Sequence, residues 1–252
     1  MDSPKFTFDP IRHIYYLNDQ PVTGVTTILG VIAKPALIPW AANMAVDYLS
    51  PKALAPFYKI EGDALVVDLD GLDALRTEAR SAHRKKKEDA AQKGTDVHAL
   101  IETIIKDAIA TNLGYVQEEN DLNDNPQVKK FTEWATQNKV KFLESEKKLY
   151  SETLFIAGTT DFTCEIGGRR YVGDLKTSSG IYYEMFLQCA GYRLMLEEMG
   201  EPEYTGAIIV RCGKDGSFET KENFDYETAK EAFLGALKIY RAKELYEVPK
   251  KY

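Results

Sequence analysis

The chain has 252 residues, of which 44% are hydrophobic and 28% are charged, as in an ordinary globular protein. Its formal net charge of −7 argues against a general nucleic-acid coat protein but leaves room for a local basic groove. No apolar run approaches the roughly 18 residues of a membrane span, and no secretion signal is predicted. The three cysteines form no CxxC pair, which excludes a zinc ribbon or disulfide framework and fits a reducing, cytoplasmic setting.

The first third of the chain mixes extended and helical patterns. Residues 5–25 show short alternating apolar patches around the turn Asn18–Pro21 and predict strands. Residues 26–49 have a helical pattern interrupted by prolines. The mixed segment 56–72 predicts loops, and 72–93 predicts a polar, charged helix.

A glycine marks the next predicted boundary. Gly94 is expected to break the chain, and the Thr95 hydroxyl can cap a new helix by accepting from free amides of its first turn. Apolar side chains then recur at helical spacing as far as Ala108. The sequence therefore predicts two regions, an N-terminal β-hairpin and helical extension over 1–93 and a core over 94–252.

The core changes from helical to strand patterns along its length. A loop is predicted over 118–126, and Gly167-Gly168 predicts a hairpin turn. The other predicted elements are helices over 127–138, 182–198 and 225–246, strands over 140–156, 159–166, 169–175 and 204–212, and one further strand after 212.

Two acidic residues fall at the ends of neighbouring predicted strands. Asp161 opens one strand and Asp174 ends the next, so antiparallel pairing can bring both carboxylates to one end of the sheet. Close carboxylates repel unless a cation balances them, and hard oxygen ligands suit Mg²⁺ or Mn²⁺. Lys176 projects to the same face as Asp174. A divalent ion beside an ammonium group suits attack of water on a phosphodiester.

These residues resemble the signature of the PD-(D/E)xK nucleases, in which an aspartate precedes an Asp-x-Lys triplet. Three further motifs narrow the resemblance to RecB-type nucleases, which include stand-alone phage and mitochondrial exonucleases. The motifs are Gly158-x-x-Asp161, Gln188-x-x-x-Tyr192 and Gly94-Thr-Asp-Val-His98. The resemblance covers about residues 94–212, and its motifs fall in family order on a predicted helix, two strands and a helix.

The resemblance implies an α/β fold with a restriction-endonuclease-like core, in which helices flank a central mixed sheet, preceded by a mainly helical N-terminal extension. It implies a Mg²⁺-dependent or Mn²⁺-dependent DNA exonuclease in the cytoplasm of a bacterium or phage-infected cell. The implied metal ligands are His98, Asp161, Asp174 and the Leu175 carbonyl, with Lys176 as the catalytic lysine. Gln188 and Tyr192 would brace the site or touch the DNA backbone. Apart from the resemblance, Thr177 and Ser178 follow the lysine and either donate to a phosphate or cap the next helix. Glu102, four residues beyond His98, either supports its imidazole or lies on a solvated helix face.

The sequence departs from the family pattern in places. Thr160 stands where the signature has proline. The cysteine cluster with which some members bind iron–sulfur is missing, so no iron–sulfur cluster is expected. No GxxxxGK[ST] loop occurs, so no nucleotide cofactor is expected.

Several alternatives stay open at this stage. The same residues would serve a structure-specific or flap endonuclease, a catalytically silent DNA-binding module would keep the fold, and an acidic phage scaffold protein could match by chance.

The basic run Arg84–Lys87 is either a phosphate-binding helix or a solvated face. Tyr182 and Tyr183 could stack on an unpaired base or belong to the fold. Glu146 is either a strand-edge charge or a group that approaches the site. The sequence leaves the polarity of digestion, strand preference, oligomeric state and pathway undetermined.

Overall fold

The computed structural model describes residues 4–117 and 125–246, without the side chains of 90–93 and 95. Most of the loop predicted over 118–126 therefore lies outside the described residues. The chain forms two compact units, one from the described parts of 1–32 and 96–252 and the other from 33–95. This division differs from the predicted one because residues 1–32, grouped there with the N-terminal extension, pack with the core.

The helices and strands alternate along the chain. The strands are β1 (Phe6–Asp9), β2 (Ile14–Leu17), β3 (Gln20–Gly24), β4 (Tyr58–Glu61), β5 (Ala64–Val67), β6 (Lys141–Ser151), β7 (Ile156–Ile166), β8 (Arg169–Lys176), β9 (Gly206–Cys212) and β10 (Phe218–Asn223). The α-helices are α1 (Val25–Leu29), α2 (Leu37–Tyr48), α3 (Pro51–Leu54), α4 (Leu69–Ala110), α5 (Pro126–Gln137), α6 (Tyr183–Glu198) and α7 (Tyr226–Tyr246).

The first unit is built on an eight-stranded mixed sheet of order β1-β2-β3-β7-β8-β9-β10, with β6 paired to β7. Strand β3 pairs with β7 in parallel, and so does β8 with β9, whereas the other pairs are antiparallel. Helices flank this sheet. The predicted α/β fold with a central mixed sheet is therefore confirmed, and the architecture is consistent with a restriction-endonuclease-like core.

The apolar side chains of the sheet supply two separate cores. On β9, Ile209 belongs to a cluster with α1, α6 and α7, whereas its neighbours Ile208 and Val210 belong to a cluster with α5 and the second part of α4. Because successive side chains of a strand point to opposite faces, these clusters lie on the two sides of the sheet. This burial on both faces explains why β9 is apolar at every one of these positions.

Two different strands pair with separate parts of one edge of β7. Strand β6 pairs with β7 along one edge from Ile156 to Glu165. On the other edge β3 pairs with residues 156–157, and β8 pairs with 162–166. Of the strands in the described part of the chain, none pairs with residues 158–161 along that second edge. The sheet therefore opens beside 158–161, where Tyr15 of β2 reaches across to place its Oη 2.8 Å from Thr159 Oγ1.

Two local predictions were wrong. Helix α4 continues through Gly94, so no helix begins at Thr95. A glycine inside a helix costs only about 1 kcal/mol relative to alanine, which is too little to end a helix of 42 residues. The segment predicted as loops over 56–72 contains the β4–β5 hairpin of the second unit, which turns at Gly62 with φ of 61°. The helical pattern over 26–49, which prolines were predicted to interrupt, divides into α1 and α2 in agreement with that prediction.

None of the helices among the described residues is both long and apolar enough to cross a bilayer.

Candidate active site

Asp161 and Asp174 meet where β7 and β8 separate. The ladder between these strands ends at the pair Phe162 and Gly173, and the two aspartates are the next residue on each strand. Asp161 lies inside β7 rather than opening a strand as predicted. Its Oδ2 accepts a hydrogen bond from the Leu175 backbone N–H at 2.7 Å. The carboxylate thus binds an amide beyond the end of the ladder.

Asp174 is fully buried and carries two contacts of opposite kinds. Its Oδ1 accepts a hydrogen bond from Gln188 Nε2 at 2.9 Å. Its Oδ2 lies 2.5 Å from Lys176 Nζ in an ion pair. The ion pair therefore balances the charge of Asp174, and Oδ2 keeps a second lone pair as unused acceptor capacity.

Burial and charge act against each other on this pair. Burial raises the pKa of Asp174 to about 6, the Lys176 charge opposes this rise, and the Asp161 charge adds to it. Burial also raises the pKa of Asp161, which the Lys176 charge opposes. For Lys176 burial acts to lower the pKa, but the charges of Asp174 and Asp161 outweigh burial and raise it. The two neighbouring carboxylates therefore need a nearby cation to remain ionised.

Gln188, Tyr192 and Gly158 interlock behind Asp174. Gln188 Nε2 also lies 2.9 Å from Tyr192 Oη. Tyr192 is only 3% exposed, and its ring packs so closely on Gly158 that a Cβ there would lie 2.6 Å from Tyr192 Cε1. Gln188 and Tyr192 were predicted either to brace the site or to touch the DNA backbone. The burial of Tyr192 therefore fits the bracing role. The glycine and glutamine motifs hold one another and orient Asp174.

His98 and Glu102 lie on successive turns of α4. Burial lowers the pKa of His98, as does the charge of Lys176, whereas Asp174 and the Leu175 carbonyl act to raise it. The imidazole is therefore neutral at pH 7 and able to act as a ligand. Glu102 forms an ion pair with Lys106 on the next turn. Its charge also acts to raise the pKa of His98, so its support of the imidazole stays a prediction.

Glu146 is the acidic group that the sequence left undecided. Its neighbours Ser145 and Lys147 pair with Phe162 and Thr160, which puts Glu146 opposite Asp161. Its φ of 51° is in the left-handed region. Burial and the charges of Asp161 and Glu102 raise the pKa of Glu146 to about 7. The approach to Asp161 was one of the two alternatives that the sequence left open, whereas no sequence signal predicts a positive φ at this glutamate.

Arg211 is a residue that the sequence analysis missed. It is 7% exposed and lies beside Lys176 in the parallel β8–β9 register. Its Nη1 donates to the Ser178 carbonyl at 3.2 Å, and its Nη2 donates to Ser217 Oγ at 2.9 Å. The Ser178 hydroxyl donates to the Gly180 carbonyl. The loop that follows Lys176, with the predicted phosphate donors Thr177 and Ser178, is therefore anchored to β9.

The donor chemistry suits a divalent cation. Asp161, Asp174 and the Leu175 carbonyl offer hard oxygens, and the unused capacity of the buried Asp174 Oδ2 is what such an ion would take up. In the described part of the chain, however, no three His, Cys, Asp or Glu side chains form a ready-made metal site. The residues fit Mg²⁺ or Mn²⁺ by type, while the Lys176 ammonium is the cation beside Asp174 here.

The comparisons with known proteins add little to this geometry. No family model matches the sequence, and no curated protein does. Among solved structures, the chain is similar to the crystal structure of SSO0001, with 16% sequence identity and a TM-score of 0.29. The match covers 47% of this chain and 59% of that chain. A similarity at this level carries no argument about function.

Proposed function

We propose that the protein is a metal-dependent deoxyribonuclease that hydrolyses the phosphodiester bonds of DNA, acting as an exonuclease. The supporting observation is that Asp161, Asp174 and Lys176 converge beside residues 158–161, where β7 has no partner on one edge among the described strands. Isolated Asp-x-Lys triplets are common on protein surfaces. Here Asp174 is buried, the triplet faces a second aspartate, and Gln188 of a separate helix binds Asp174.

Each residue has a role in this proposal. Asp161, Asp174, the Leu175 carbonyl and His98 would hold Mg²⁺ or Mn²⁺, which when bound lowers the pKa of a water and offsets phosphate charge. Lys176 would stabilise negative charge on the phosphate and orient the attacking water. Gln188 fixes the Asp174 carboxylate through its hydrogen bond to Oδ1. Thr177 and Ser178 border the place of the phosphate.

Three parts of the proposal rest on the resemblance to RecB-type nucleases. They are the preference for ends, the DNA substrate, and the cytoplasmic setting in a bacterium or phage-infected cell. Among the residues that the structure describes, no distance or charge favours an end over an internal bond. These parts of the proposal therefore need a substrate comparison.

The test is hydrolysis of labelled DNA by the purified protein with Mg²⁺, Mn²⁺ or EDTA. The substrates are a linear duplex, a linear single strand and a covalently closed circle. We expect metal-dependent release of nucleotides from the linear substrates. Asp174→Asn should lose this activity. Asp63→Asn, which changes an aspartate in the β4–β5 turn, should keep it. Cutting of the closed circle would replace the exonuclease with an endonuclease that uses the same residues.

A catalytically silent DNA-binding module is the second candidate. It is favoured by the direct Lys176–Asp174 ion pair and by the lack of a ready-made metal site among the described residues. This candidate predicts DNA binding that Mg²⁺ does not change and no hydrolysis in either metal. Binding without hydrolysis in the same experiment would therefore favour it over the nuclease.

A further inference from the structure

Two exposed tyrosines follow the anchored loop beyond Lys176. Tyr182 is 46% exposed and Tyr183 is 62% exposed. Large aromatic side chains usually bury most of their surface, because each gains free energy by leaving water. Two adjacent tyrosines at the start of α6 therefore keep about half of their surface in contact with water.

The Tyr182 ring is held in place on one side. Its Oη lies 2.8 Å from Ser179 Oγ. Its Cζ and Oη lie 3.6 Å from the position that a Cβ on Gly180 would take, so the ring covers this glycine. Arg211 fixes the same loop through the Ser178 carbonyl. A ring that is ordered before binding loses little conformational entropy when a ligand stacks on its open face.

The tyrosines begin the helix that braces the candidate active site. Gln188, whose Nε2 is 2.9 Å from Asp174 Oδ1, is five residues beyond Tyr183 on the same helix, which corresponds to about 7.5 Å along its axis. A DNA strand advances about 3.4 Å per nucleotide in a duplex and further when extended. The separation along the axis therefore corresponds to two or three nucleotides of a strand whose phosphate lies at Asp174.

We propose that Tyr182, assisted by Tyr183, is a stacking platform for an unpaired base of the strand being hydrolysed. This inference rests on the proposed nuclease function and adds its substrate class, which is single-stranded DNA or an unpaired end. A paired base inside a duplex is stacked on both faces by its neighbours and has no free face for the ring. An unpaired base of any identity has a free face, so the platform distinguishes single-stranded from double-stranded DNA rather than one sequence from another.

Binding and hydrolysis are measured separately, so that the two proposals can fail independently. Binding of a fluorescent oligothymidine is followed by anisotropy with Ca²⁺ in place of Mg²⁺, and duplex binding is measured by competition with a covalently closed duplex circle, which has no terminal base pair. We expect Tyr182→Ala to weaken binding of the single strand about tenfold and to change duplex binding little. Tyr182→Phe keeps the ring and should retain most of the affinity. Tyr246→Ala, which removes an exposed tyrosine from the end of α7, is the matched control and should bind as the unaltered protein does.

Abasic oligonucleotides identify the stacked position. Removing one base at the stacked position should weaken binding to the unaltered protein about tenfold and should have no further effect on Tyr182→Ala, because both changes remove the same contact. The inference is overturned if the unaltered protein does not bind the single strand, if Tyr182→Ala binds as tightly as Tyr246→Ala, or if the two losses multiply at every position. Failure to hydrolyse DNA in Mg²⁺ or Mn²⁺ would instead count against the nuclease.

Discussion

Glu146 on β6 lies opposite Asp161 on β7, with the Glu146 backbone in the left-handed region at a φ of 51°. A glutamate is a costly residue for this position for two reasons. Its Cβ disfavours a positive φ by about 1 kcal/mol, and its carboxylate faces a second one. Costs of this kind accumulate where function, rather than stability, determines the residue.

Replacing Glu146 should therefore stabilise the protein. Glu146→Gly removes the backbone strain and the charge, and we expect the free energy of unfolding to rise by about 1 kcal/mol. Glu146→Gln removes only the charge and should gain less. Urea denaturation of the two variants gives the comparison. If Glu146→Gly unfolds at a lower urea concentration than the unaltered protein, the strain assigned to this residue is wrong.

Variants of the Lys176–Asp174 ion pair distinguish its effect on stability from its effect on activity. Lys176→Met leaves the buried Asp174 charge without its partner and should destabilise the fold by about 3 kcal/mol. Adding Asp174→Asn removes that charge, so the double variant should recover part of the loss. Hydrolysis should fall about a thousandfold in the single and double variants alike. A double variant that is less stable than Lys176→Met, or one that keeps its activity, would contradict these roles.

Gly158 is expected to tolerate no side chain. A Cβ there would lie 2.6 Å from the Tyr192 ring, so Gly158→Ala should cost about 2 kcal/mol through overpacking. It should also slow hydrolysis, because Tyr192 and Gln188 orient Asp174. Gly235→Ala in α7 is the control, since nothing lies within 4 Å of its Cβ, and it should stabilise the helix by about 0.5 to 1 kcal/mol. Thermal unfolding of both variants measures the difference.

Glu198 should make the stability depend on pH. Burial acts to raise the pKa of Glu198, but hydrogen bonds from Ser151 Oγ and the Thr153 N–H outweigh it and hold the pKa below its ordinary value. A carboxylate with a lowered folded-state pKa stabilises the fold above its unfolded pKa, and this contribution disappears as pH falls through the folded value.

Glu198→Gln should therefore be less stable than the unaltered protein at pH 7, by about 0.5 to 1 kcal/mol for this exposed side chain. The difference should shrink below about pH 4. Urea denaturation between pH 3 and pH 7 tests this, with Glu231→Gln on the exposed side of α7 as the matched change. A difference that stays constant over this range would show that the Glu198 hydrogen bonds do not depend on its charge.

The basic run Arg84–Lys87 is exposed along α4 in the second unit. If it binds phosphates, changing all four residues to glutamate should weaken DNA binding and reduce the slope of log affinity against log salt by about one per lost contact. Lys238→Glu with Lys243→Glu on α7 is the comparison at another exposed basic site. Equal salt slopes for the two charge-reversed proteins would identify the run as a solvated face.

Residue types and turn signals carried most of what the sequence could predict. The strand-forming residues after 140 and the turn at Gly167-Gly168 predicted β7 and β8. The pairing of Asp161 with Asp174 followed from that hairpin. The position of Gln188 followed from the helix that comes next, although its contact with Asp174 depends on how closely α6 packs.

Gly94 continues α4 because one glycine costs too little free energy to end a long helix. The other failures have a common physical cause, which is that tertiary contacts outweigh local signals. Glu146 has no local reason to adopt a positive φ, and Arg211 is an ordinary strand residue until its distant partners Ser178 and Ser217 are known. Residues far apart in the chain determine these features, so no short window reveals them.

The parallel pairing of β3 with β7 has a consequence for how the protein is made. Strand β3 leaves the ribosome long before β7, so the first hairpin has to wait for a strand encoded much later, and contacts of this kind slow folding. A fragment that begins at residue 96 would also leave the edge of β7 at Ile156 and Ala157 without the strand that covers it. Exposed strand edges of this kind invite pairing with other chains, so such a fragment is expected to aggregate.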